Sequence, residues 1–216
     1  MHLTAILKNI GFTANAEDLS SYSYKGELGS ALLWIHVDDG ALTASSEKLL
    51  SHLILQLSSK LNIKWDNDVS SLVGITISSV NGRYLLSQPD LIAKAVGMSD
   101  TMTTATSPLP HNYNLISNAS STMDIEYLCQ IGILLYISQG SRPDITFAVN
   151  YLAQFSMGTD VSHWHILEHL LSYLQQPAST GMWILPKCKG NAFKCYTNAS
   201  WGREGNRLTH GFLMLY

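Results

Sequence analysis

The sequence predicts an α+β protein: an antiparallel sheet with a packed helix, then a helical region, then a closing set of strands. Three observations predict it. Short apolar runs punctuated by turn residues fill most of residues 1–87, apolar stripes at helical spacing fill residues 125–175, and alternation returns from residue 183. With 46% hydrophobic and 13% charged residues among 216, the chain has material for a packed core and lacks the composition of a disordered one.

Taken in order, Leu3, Ile6, Leu7 and Ile10 sit at helical spacing and stop at Gly11, a C-cap residue type. Residues 20–24 and 31–37 read as strands joined by a turn over 25–29, and the Asp39-Gly40 pair that follows signals a further hairpin. A three-stranded meander is expected. Ser45 or Ser46 then caps a helix whose stripe is Leu49, Leu50, Leu53, Ile54, Leu57 and Leu61. Residues 72–77 read as one strand, Asn81-Gly82 as a hairpin turn, and 84–87 as the return strand.

After Gln88-Pro89-Asp90 a short helix carries Leu91, Ile92, Ala95, Val96 and Met98. Residues 99–122 are rich in Ser, Thr, Asn and Pro and read as a connector and domain boundary. A helix with the stripe Ile125, Leu128, Cys129, Gly132, Leu135, Tyr136 and Ile137 ends at Gly140. Pro143 opens a second helix, through Ile145, Ala148, Val149, Leu152 and Phe155, and a third runs through Ile166, Leu167, Leu170, Leu171 and Leu174. Residues 183–185, 193–196 and 211–214 read as strands.

Composition bounds the function. No run of about 18 apolar residues occurs, so no membrane span is expected, and the first residues lack a basic segment before an apolar one. An intracellular soluble protein is expected. Cys129, Cys188 and Cys195 are odd in number and without CxxC spacing, which predicts buried free thiols rather than a disulfide framework or zinc site. Net charge is −3, with 13 Lys+Arg against 16 Asp+Glu, an awkward balance for holding phosphates.

Three local patterns carry chemistry. Asp38 and Asp39 are either a polar hairpin tip or paired carboxylates that hold a divalent metal for phosphoryl or nucleotidyl transfer. His165, Glu168 and His169 form H-x-x-E-H, which some zinc peptidases use with a third, distant ligand; the plain alternative is a helix surface with titratable histidines. Arg142 and Asp144 flank Pro143, and taken alone they read as a helix start with a solvated arginine and a carboxylate in the first turn.

Order adds what single motifs lack. The series is His36-Val37-Asp38-Asp39, Leu72-Val73-Gly74-Ile75, Leu86-Ser87-Gln88, Gly132-Ile133-Leu134-Leu135-Tyr136, Ser141-Arg142-Pro143-Asp144-Ile145, His163-Trp164, Tyr173-Leu174 and Tyr196-Thr197-Asn198-Ala199-Ser200-Trp201. It resembles the C-terminal half of the reverse transcriptase of copia-type retrotransposons, running into the start of its ribonuclease H domain. The resemblance covers nearly the whole chain.

The resemblance implies a partial palm over 1–87, a thumb and connecting helices over 88–186, and a truncated ribonuclease H start over 187–216. It implies Asp38 and Asp39 as metal-binding catalytic carboxylates for Mg²⁺ or Mn²⁺ in two-metal nucleotidyl transfer. His36, Leu72, Val73, Gly74 and Gln88 would lie against an RNA/DNA template-primer. The family's other palm aspartate and its fingers come earlier than this chain's first residues, and Asp18 matches a later family position. Asn198 and Ser200 stand where the ribonuclease has aspartates, so that site is expected to be dead. An RNA-directed DNA polymerase fragment that is inactive alone is therefore expected, with a non-catalytic remnant or a protein-interaction module as the alternative. Self-association through the exposed palm edge is a further expectation.

Overall fold

The computed structural model describes residues 3–66, 68–98, 104–113, 123–175, 181–185, 194–199 and 210–215. Helix α1 (Leu3–Ile10) ends as expected at Gly11, which takes φ +106° and donates its N–H to the Lys8 carbonyl. Four strands follow: β1 (Phe12–Ala14), β2 (Ser21–Gly26), β3 (Gly29–His36) and β4 (Asp39–Ala44), antiparallel in the order β1-β2-β3-β4. The expected meander thus gains a strand. Three residues directly after a helix cap are too few to display alternation, so β1 leaves no periodic signal.

Helix α2 (Glu47–Ser58) starts at Ser46, whose hydroxyl accepts the Leu49 N–H, while Glu47 places a carboxylate in the first turn. Leu49, Leu53 and Leu57 are fully buried against Leu7, Phe12, Tyr22, Ala31 and Leu33. A leucine buried so completely contributes about 1.5–3 kcal/mol, so this stripe fixes which sheet face is covered. The opposite face of β3 stays open, with Leu32 50% exposed. Gly29 makes the tight approach between the β2–β3 turn and α2: its φ is +126°, and a Cβ there would collide with the Ser45 hydroxyl.

A second antiparallel sheet has the order β5-β6-β7-β8, from β5 (Ser71–Leu72), β6 (Ile75–Val80), β7 (Arg83–Ser87) and β8 (Met182–Ile184). Asn81-Gly82 forms the expected turn, both residues at positive φ. The strand expected over 72–77 is interrupted, because the chain reverses at Val73-Gly74, with φ +49° and +68°. From the tail, β8 pairs with β7, whereas β9 (Lys194–Ala199) and β10 (His210–Leu215) pair with each other.

Four helices build the second core: α3 (Pro89–Gly97), α4 (Ile125–Gly140), α5 (Thr146–Ala153) and α6 (Val161–Leu174). Ile145, Ala148, Val149, Leu152, Leu167, Leu170, Leu171 and Leu174 are buried as their spacing predicts. On α4 the buried face differs from the expected stripe. Tyr127, Gln130, Ile131, Leu134, Ile137 and Ser138 point inward, while Ile125 and Cys129 are exposed. The helix is apolar on nearly every side, so periodicity does not select a face. Hydrogen bonds fix two of the inward polar groups, Tyr127 Oη to the Leu152 carbonyl and Gln130 Nε2 to the Ala95 carbonyl. The thiol expectation is corrected likewise: Cys129 and Cys195 are free and exposed, and Cys188 lies outside the described residues.

The arginine beside Pro143 is not solvated. Arg142 is 2% exposed and forms a forked pair with Asp144, Nε to Oδ1 at 2.9 Å and Nη2 to Oδ2 at 2.7 Å. Tyr173 Oη donates to Asp144 Oδ2 at 2.8 Å, and the guanidinium lies 5.3 Å from the Tyr173 ring centroid. A 3₁₀ turn (Pro143–Ile145) carries the aspartate before α5 begins. Tyr173, through its hydroxyl and ring, therefore ties α6 to the ion pair in the α4–α5 connection.

Burial alone would raise the Asp144 pKa, but the hydrogen bonds from Arg142 and Tyr173 outweigh it and hold the carboxyl below its usual range. Asp144→Asn is expected to lower stability in urea by about 2–4 kcal/mol, at the lower side for a buried pair because Asp144 is 38% exposed. A native pKa below the unfolded one stabilises fully above the unfolded value of about 3.9. That stabilisation is lost as pH falls through the native value, so the difference between wild type and variant should shrink in strong acid.

Candidate metal and nucleic-acid site

The β3–β4 register pairs His36 with Asp39, so Val37 and Asp38 form the two-residue turn. The sequence points two residues later, to Asp39-Gly40, because Asp-Gly is the commoner turn composition. Instead Asp39 opens β4 and Gly40 lies inside it, paired with Ile35. Val37 takes φ +54°, a conformation that a β-branched residue resists, and is 88% exposed. Both carboxylates are exposed at this tip.

Cross-strand pairing puts Asp39 on the same sheet face as His36 and Trp34. The Trp34 and His36 rings stack at 5.8 Å with an interplanar angle of 6°. This is the face left uncovered by α1 and α2. The β5–β6 turn reaches the tip from the second sheet, and the Val73 N–H donates to Asp39 Oδ2 at 3.1 Å. Tyr136 Oη, from α4, donates to the Val73 carbonyl at 2.5 Å. His36, Asp38, Asp39, Leu72, Val73 and Gly74, distant in sequence, are thus gathered at one place.

Other candidates stand apart. Gln88 is 1% exposed and buried against α4, its Oε1 accepting from the Ser141 hydroxyl at 2.9 Å. Gly140 lets that side chain in, since a Cβ there would lie 2.5 Å from Gln88 Oε1. Asp18 spends a carboxylate oxygen on the Ser20 N–H in its own turn. Asn198 lies in β9 opposite Gly211, and Ser200 lies outside the described residues.

The histidine helix is not uniformly a surface. His163 is fully buried and its Nδ1 accepts the Asp160 N–H, closing a capping box at the start of α6. His165 faces Glu168 at 3.6 Å on the exposed side, while His169 Nε2 donates to the Ser107 carbonyl. Among the described residues, no group of three or more His, Cys, Asp or Glu side chains is placed to hold a metal ion.

Asp38 and Asp39 are hard oxygen donors. That donor type suits Mg²⁺ or Mn²⁺, ions that characteristically take one or two carboxylates and keep several waters. A full two-ion set is not built from the described residues. Sequence reasoning missed Tyr136 as part of this site, because its apolar neighbours on α4 made it read as core.

No family model and no solved structure matches the chain. In an alignment of 226 positions that covers 99% of its length, the chain is 27% identical to the Retrovirus-related Pol polyprotein from transposon RE2 of Arabidopsis thaliana. Its identity to the polyprotein from transposon RE1 of the same plant is also 27%, over 223 aligned positions and 99% of this chain. An uncharacterized mitochondrial protein of Arabidopsis thaliana is 31% identical over 83% of this chain and 76% of its own length.

The chain belongs to the copia-type retrotransposon Pol family. It spans 15% of the length of the RE1 and RE2 polyproteins. In this copia-type Pol chain, the acidic tip is built on a turn that its first residue disfavours. Val37→Gly is therefore expected to raise stability by roughly 0.5–1 kcal/mol, the relief of positive φ exceeding the entropy cost of glycine. The urea midpoint measures it, and a lowered midpoint would show that the Val37 side chain is needed where it stands.

Proposed function

We propose that the chain forms part of an RNA-directed DNA polymerase, with a partial palm over 1–87, thumb and connecting helices over 88–186, and a ribonuclease H start over 187–216. The observation that carries this reading is the exposed Asp38-Asp39 tip held beside the β5–β6 turn. Asp38 and Asp39 would hold Mg²⁺ or Mn²⁺. A bound ion at such a site supplies charge stabilisation for nucleotidyl transfer.

The chain's own residues supply placement. The open sheet face presents the stacked Trp34 and His36 rings beside the acidic tip, a flat surface suited to the sugar and base at a primer end. Leu72, Val73 and Gly74 flank the same place and would support the primer strand. The charge balance of −3 limits phosphate neutralisation by these residues, so the grip on template-primer is expected to come mainly from the rest of a polymerase.

Two carboxylates are half of a catalytic site. The further acidic ligand and the nucleotide pocket would come from another segment, which leaves these 216 residues inactive by themselves. Asn198 cannot supply the charge of an aspartate, so the ribonuclease H start carries no hydrolytic site in this reading.

Primer extension on an RNA template with Mg²⁺ or Mn²⁺ tests it. The chain alone should incorporate no nucleotide. Joined to the upstream Pol segment of the RE2 relative, it should extend the primer, and Asp38→Asn with Asp39→Asn should abolish extension. A joined protein that stays inert, while the same upstream segment is active with its own downstream part, would contradict the polymerase reading. Extension by the chain alone, lost in the double variant, would contradict the half-site.

A further inference from the structure

We propose that Tyr136 is a positioning residue for Asp39, acting through Val73. The inference rests on the metal-site reading above and adds a residue from the helical region to the acidic tip. Val73 is gripped on both sides: its N–H is bonded to Asp39 Oδ2, and its carbonyl accepts the Tyr136 hydroxyl. The hydroxyl also lies 3.6 Å from where a Cβ on Gly74 would be, so it reaches over the whole turn.

The turn needs outside support. Val73 and Gly74 both stand at positive φ, and a β-branched residue holds that conformation only where its surroundings enforce it. The strand leading into the turn supplies little, since β5 has two residues, paired as Ser71 with Thr76 and Leu72 with Ile75. The ladder alone therefore leaves the Val73 N–H free to turn away from Asp39.

Tyr136 is well placed to prevent this. Leu134 and Ile137 beside it are fully buried, whereas Tyr136 is 43% exposed. Its ring thus leaves the helical core and delivers the hydroxyl to the second sheet. The helix that carries it is fixed by the buried Tyr127 and Gln130 hydrogen bonds, and just past its end by the Ser141 hydroxyl bonded to Gln88 Oε1. A rigid helix, a strained turn and an exposed carboxylate form one line of contact. Its effect is to hold Asp39 Oδ2 toward Val73 and to leave Asp39 Oδ1, with Asp38, for a cation.

Amide NMR of the ¹⁵N-labelled full chain tests this, using wild type, Tyr136→Phe, Asp39→Ala and the double variant, each titrated with Mg²⁺. Tyr136→Phe keeps the ring and removes one hydroxyl. It should shift the Val73 amide resonance upfield, leave residues 127–134 unchanged, and raise the Mg²⁺ half-saturation at residues 38–39 about three- to tenfold, the size of one net hydrogen bond. In the Asp39→Ala background the same change should no longer alter the Mg²⁺ response. A Val73 amide unmoved by Tyr136→Phe, or a loss of affinity that persists undiminished without Asp39, would overturn the proposal. Wild type that ignores Mg²⁺ while Tyr136→Phe still moves Val73 would instead overturn the metal reading and leave the positioning contact standing.

Discussion

The hydrogen bond from the Val73 amide to Asp39 joins parts of the chain that have separate hydrophobic cores. One core packs α1 and α2 on the first sheet, and the other packs α3 to α6 together. The β5, β6 and β7 strands of the second sheet lie between them in sequence. Its β5–β6 turn meets the acidic tip on one side and Tyr136 on the other. A carboxylate accepting a backbone N–H is a charge-assisted bond, stronger than a neutral one and demanding in direction. It constrains where Asp39 points, and the tip's chemistry depends on that direction.

Each core is anchored by a different device. The first relies on apolar burial: Leu49, Leu53 and Leu57 lie on one side of α2 and leave the far face of β3 open for Trp34 and His36. The second adds buried polar groups that must be satisfied where they stand. Arg142 would be costly to bury without Asp144, and Tyr173 shares that carboxylate, so its hydroxyl adds a directional contact between α6 and the α4–α5 connection to the apolar packing of the core. His163 plays a smaller version of the same part at the start of α6. Fixing the helices in this way gives Tyr136 a defined starting point.

Much of this was legible in the sequence, and the failures share a cause. Gly11, Ser46 and Asn81-Gly82 report their backbone conformations through residue type, and the structure places a cap or a turn at each. Val37 and Val73 do the opposite, since a β-branched residue is the last type that local propensity would put at positive φ. Tertiary contacts hold Val73 there, and no local pattern announces them. The buried face of α4 was illegible because nearly every side is apolar, and Arg142 was misread because Tyr173, which meets the Arg142–Asp144 pair with its ring and hydroxyl, lies 31 positions along the chain from the arginine. The family was legible because collinear order along the whole chain carries more information than any one motif, and the Pol relatives bear it out.

What remains central is whether Asp38 and Asp39 together attract a divalent cation at the tip. Paramagnetic broadening by substoichiometric Mn²⁺, read from the amide spectrum of the full chain, addresses it directly. The amides of residues 37–40 and 73–74 should broaden first, and Asp38→Asn with Asp39→Asn should remove that broadening. Broadening that begins at residues 165–169, or that survives the double substitution at the tip, would contradict a metal-binding role for the Asp38-Asp39 turn.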